Sequence, residues 1–71
     1  MVTVEQIITY IEQTLAQRFL ANDQEGLRRL QLALGELMAA ASSVEDRATA
    51  MRFRVLAARA ANQREAMSGE E

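Results

Sequence analysis

The chain contains no cysteine, histidine, tryptophan, proline or lysine. Absence of cysteine excludes a disulfide framework, a thiolate metal site and a thiol nucleophile. Without histidine, the usual acid–base group of neutral pH and the commonest metal ligand are both missing. Without lysine there is neither Schiff-base chemistry nor a phosphate-binding P-loop. Most enzyme classes fall with that inventory, and no catalytic, cofactor-binding or metal-binding residue is expected. No apolar run approaches the ~20 residues that span a bilayer. The first residues open a helical pattern and not a basic segment followed by an apolar stretch, so a secretory signal is not expected. The expected compartment is the cytoplasm.

What remains is short and rich in alanine. Seventy-one residues leave room for one domain. Hydrophobic residues make up 49% of the chain, but thirteen of them are alanine. Alanine favours helix yet brings little transfer free energy, which scales with the apolar area buried. Below roughly 70–80 residues a single core rarely supplies more than about 3–5 kcal/mol. With disulfides excluded, self-association or docking on a larger partner is the expected supplement. The net charge of −2 and pI near 5.1 argue against a chain that binds polyanions as a whole.

Glycine occurs only at Gly26, Gly35 and Gly69, so helix boundaries fall to capping residues. Thr3 and Gln6 form a capping box. Val4, Ile7, Ile8, Ile11, Leu15 and Phe19 then line one side of a helix over residues 4–20. Glu5, Glu12, Gln13 and Gln17 lie opposite, and Arg18 suits the negative end of the helix dipole. Asn22 or Asp23, with Glu25, signals a second start. Leu27, Leu30, Leu34, Leu37 and Ala41 follow as a heptad seam over 23–41, widened by Met38. Gly35 is either tolerated at some cost in helix propensity or marks a close helix approach. Ser42 with Glu45, or Ser43 with Asp46, forms a third capping cluster, predicting a helix over 44–67. Without that break, one rod of roughly 65–70 Å would run from Asp23 to Met67 at ~1.5 Å per residue. Residues 68–71 read as a disordered polar tail.

The third helix carries two apolar stripes. Val44, Ala48, Met51, Val55 and Ala58 recur at helical spacing, and Phe53, Leu56, Ala60 and Met67 form a second stripe displaced by roughly 150°. Arg47 and Arg54 flank one side of the first stripe, Arg52 and Arg59 the other, and Arg64 stands beyond the second. A helix apolar on two faces has more to bury than a small bundle covers, and an exposed strip commonly marks an interface. The first stripe, narrow and of small or medium residues, is expected to face the rest of the chain. The second, Phe53, Leu56, Ala60 and Met67 rimmed by Arg52, Arg59 and Arg64, is expected to meet another molecule. The arginines would pair with Glu5, Glu12, Glu25 or Glu36. Alternatively, the helix lies central in its bundle and buries both faces internally.

These features predict an all-α protein: a three-helix bundle, or a hairpin with an extended third helix, expected to be oligomeric. The function they suggest is a non-catalytic protein–protein interaction module, a homo-oligomer or a docking adaptor, assembly factor or chaperone-like factor. The second reading is a small nucleic-acid-binding or transcription-regulating dimer using Arg47, Arg52, Arg54, Arg59 and Arg64. Against it, those arginines point in several directions and no exposed aromatics interleave for base stacking. Ser42-Ser43 has no activating base, and the adjacent acids Glu45-Asp46 diverge on a helix. Asn22 to Glu25 lacks calcium-loop spacing, and Tyr10 reads as a packing residue. Neither the first nor the third helix combines one broad apolar face with basic residues opposite, so no membrane-surface role is expected.

Overall fold

The computed structural model describes residues 1–68. They form three α-helices: α1, Val4–Leu20; α2, Gln24–Ser43; and α3, Arg47–Ser68. The all-α expectation holds, and the second and third helices are separate. The polar tail expected at 68–71 falls, beyond Ser68, outside the described residues, and Ser68 itself is the last residue of α3.

α1 begins as its sequence dictates. The Thr3 hydroxyl accepts from the Gln6 amide at 3.1 Å, and the Gln6 side chain accepts from the Thr3 amide at 2.9 Å. Its end is a left-handed residue, Asn22, with φ 57°. The Asn22 N–H donates to the Phe19 carbonyl at 3.1 Å, and the Asp23 N–H to the Arg18 carbonyl at 2.9 Å. That pair of bonds satisfies carbonyls that a helix end leaves orphaned, and asparagine tolerates the conformation better than most residues. Asp23 then caps α2 by accepting from the Gly26 N–H at 2.9 Å. Gly26 is buried here, and a Cβ on it would overlap the Asp23 carboxylate and lie 3.0 Å from Arg18 Cδ. The Arg18 guanidinium crosses the corner and donates to the Gly26 carbonyl at 2.7 Å.

The second turn departs from expectation. α2 does not stop at residue 41 for a serine cap, and α3 does not start at residue 44. The Ser43 hydroxyl donates back to the Ala40 carbonyl at 2.7 Å, as serine does inside a helix. Asp46 is the cap. Its Oδ1 accepts from the Thr49 N–H at 3.1 Å and its Oδ2 from the Thr49 hydroxyl at 2.7 Å. Aspartate and serine cap about equally well, and the carboxylate's charge adds a favourable interaction with the positive end of the helix. Running α2 two residues further puts the left-handed turn on Glu45, φ 59°. The Glu45 N–H donates to Ser42 and the Asp46 N–H to Ala41, both at 3.0 Å, repeating the first turn's pattern.

Short turns make successive helices antiparallel, so the order is up-down-up. α2 and α3 form the most intimate pair, and α1 lies along both. α1 and α3 run in the same direction: Glu5 meets Arg52 near one end, and Phe19 and Ala66 share a recess near the other. The core takes Ile8, Ile11 and Leu15 from α1, Leu27, Leu34 and Ala41 from α2, and Phe53, Leu56 and Ala60 from α3. The seven-residue steps of the α2 set confirm the predicted seam, with Leu30, Leu37 and Met38 packed at its margins. Thr14, the one buried polar side chain among the described residues, donates its hydroxyl to the Tyr10 carbonyl at 2.8 Å. Gly35 has nothing within 4 Å of where a Cβ would stand, so no helix approaches closely there.

Candidate functional site

The two stripes of α3 are placed the opposite way round from the sequence expectation. Phe53, Leu56 and Ala60 are buried within their own chain, and Met67 packs against the same core. Phe53, Leu56 and Ala60 are thus not available to another molecule, and Met67 is only partly available. The stripe expected inside is outside: Met51 is 54% exposed, Val55 53%, and Val44 stands free in the turn at 74%. Size explains the inversion. A phenylalanine and a leucine bring more apolar area than valine, methionine and alanines, and stabilisation follows area. Spacing alone identifies two stripes without ranking the area each brings, and Val44, placed in the first stripe, lies outside α3.

Two arginines expected around the interface serve within the chain. Arg64 Nη1 donates to Gln31 Oε1 on α2 at 2.7 Å, tying the two longest helices together. Arg52 makes a two-pronged contact with Glu5 of α1, its Nη2 standing 3.1 Å from Oε1. That pairing was among those anticipated. The hydrogen bond from Arg52, then its charge, holds the Glu5 carboxyl below its ordinary range, and the same bond raises Arg52. The site is open to water, so the pair fixes geometry more than it stabilises. Glu25, another anticipated partner, is bridged instead within α2 by Arg28 and Arg29, at 3.5 and 3.4 Å. The Asp46 carboxyl is likewise lowered, by the hydrogen bonds from Thr49.

What α3 shows to solvent is an apolar strip through Met51 and Val55 with arginines on either side. Arg52 and Arg59 lie toward α1, and Arg47 and Arg54 lie on the other flank. Between α1 and α3 is a shallow recess of about 390 Å³, lined by Phe19, Val55, Arg59, Asn62, Gln63 and Ala66. A second recess, about 290 Å³, sits on the other flank between α2 and α3, lined by Met38, Ser42, Arg47, Ala50, Met51 and Arg54. Phe19 was expected within the core stripe of α1. It stands instead at the helix edge, 40% exposed, and forms one wall of the first recess. The sequence did signal this face, in the arginines bracketing Val55, but assigned it to the interior.

Charge is distributed as unevenly as hydrophobicity. Five arginines against Glu65 give α3 a net +4, so the rest of the chain, with a total of −2, carries −6. Among the described residues no three acidic side chains gather where a metal ion would be held. Among them, too, no helix is long and apolar enough to cross a membrane. No protein-family model matches the chain, and neither a curated protein nor a solved structure is significantly similar to it.

Proposed function

We propose that this chain is a non-catalytic protein-interaction module that docks a larger, acidic protein partner through the outer face of α3. The observation that carries this reading is the exposed strip of Met51 and Val55, continued by Phe19, with arginines along both flanks. Contiguous apolar surface rimmed by charge is typical of binding faces. The charge argues for a different protein over a second copy as the partner. Joining two such faces about a twofold axis brings one copy's arginines against the other's, and like charges at an interface are unfavourable. An acidic partner meets complementary charge instead, which speeds encounter and fixes register.

The test is affinity purification from the native cells, comparing the natural chain with a Met51→Asp/Val55→Asp variant and with Leu32→Asp as a control on α2. Circular dichroism must first show all three equally helical. The reading predicts an acidic protein retained by the natural chain and the control, lost from the double variant, and reconstituted from purified components. Retention of the same partner by the double variant, or of nucleic acid alone, overturns it. Light scattering adds an independent check, since a dimer abolished by Met51→Asp/Val55→Asp would place a second copy on this face.

A further inference from the structure

Resting on that docking reading, we infer that the partner segment is an acidic amphipathic helix lying obliquely across α3, with one large apolar side chain in each of the two recesses. The recesses lie on opposite flanks of α3 and at different heights. The first is centred near residues 59–63 and the second near residues 47–54. At ~1.5 Å per residue, roughly ten or eleven residues of α3 separate them, about 16 Å along its axis. Because the recesses also lie on opposite flanks, the oblique path between them is longer, about 20 Å, or roughly four turns of a partner helix, which returns both anchors to the same face. A straight helix joining the recesses passes over Val55, which lines the first recess and is half exposed, so the position between the anchors is apolar and small.

Helical form follows from the absence of anything else to pair with. Among the described residues there is no strand whose edge an extended segment could join. An extended chain laid on Met51 and Val55 would cover apolar surface with unpaired backbone groups, whereas a helix satisfies its own. Acidity follows from Arg47, Arg54 and Arg59, which line the recesses and make no ion pair among the described residues, while Arg52 already holds Glu5. The chain does not supply such a helix itself. α2 exposes Leu32 as its only large apolar side chain among the described residues. On α1 the exposed large apolar side chains are Val4, Tyr10, Phe19 and Leu20; Phe19 already walls the first recess, Tyr10 and Leu20 diverge by about 80°, and Val4 and Leu20 by about 160°.

The experiment selects from a displayed library of random peptides against the whole chain, with Met51→Asp/Val55→Asp as the counter-selection. Amide shift mapping then locates the best peptide. The expected peptides are acidic, gain helicity on binding, and carry two large apolar residues about four turns apart on one face. Shifts should centre on Phe19, Asn62, Met38 and Met51. Replacing either anchor by alanine should weaken binding about tenfold or more. Peptides that map to α3 but tolerate a central proline, or need one anchor only, overturn the helical inference and leave the docking face standing. Selected peptides that bypass α3, together with shifts on this face produced by anionic phosphatidylserine vesicles or by duplex DNA, overturn both.

Discussion

The inner and outer faces of α3 differ little in apolar count but greatly in what surrounds them. Inside, Phe53, Leu56 and Ala60 meet side chains from both other helices and are almost wholly covered. Outside, Met51 and Val55 are of similar hydrophobic character but lie among arginines and remain half in water. The difference teaches that a two-faced helix orients by how much apolar area each face brings and by what its flanking charges can reach. With the Phe53 face inward, Arg52 reaches Glu5 and Arg64 reaches Gln31.

The strongest way to break the comparison is to remove the larger inner residue. Phe53→Ala should destabilise by about 3–5 kcal/mol, which is comparable to what a core of this size supplies. Urea unfolding followed by circular dichroism should find the variant largely unfolded in buffer. A folded, cooperative variant would show that Phe53 does not anchor the face. Next in size is the turn that sets where α3 starts. Glu45 holds a left-handed conformation that disfavours a side chain, so Glu45→Gly should stabilise by about 1 kcal/mol. The midpoint in urea would rise without a change in slope. On the outer face, Val55→Asp should shift stability by no more than about 0.5 kcal/mol, because little is buried there. A loss as large as that of an inner-face substitution would equate the two faces.

The smallest effect concerns acid. Glu5 and Asp46 both have carboxyls held below their ordinary values, by Arg52 and by Thr49 respectively. A group depressed in the folded state contributes stability above its unfolded value and loses it as pH falls through the folded one. Thermal melts should therefore decline as pH drops below about 4, where unfolded carboxylates take up protons. Arg52→Gln should flatten part of that decline by releasing Glu5. An unchanged profile in Arg52→Gln would mean the α1–α3 tie does not persist in solution.

Much of this architecture was legible in the chain. The Thr3–Gln6 box, the α1 stripe through Ile8, Ile11 and Leu15, and the Leu27–Leu34–Ala41 seam all depend on residues three to seven apart. Local geometry settles such features. The Ser42–Asp46 cluster was legible only as a break, because several residues there are competent caps and the choice among them depends on where α2 exhausts its contacts. The outer face of α3 was legible as one of a pair of candidate stripes and assigned to the wrong side, since periodicity records which residues share a face and is silent on which face wins.

By itself, then, the sequence determined the helical class, the break after the first helix and two apolar surfaces, because capping and periodicity act within a few residues of one another. Only the tertiary structure decided which side of α3 turned inward. That choice rests on Phe53 and Leu56 finding α1 and α2 at once, and on Arg52 and Arg64 reaching residues 47 and 33 positions away. Contacts of that separation exist only once the chain has closed on itself.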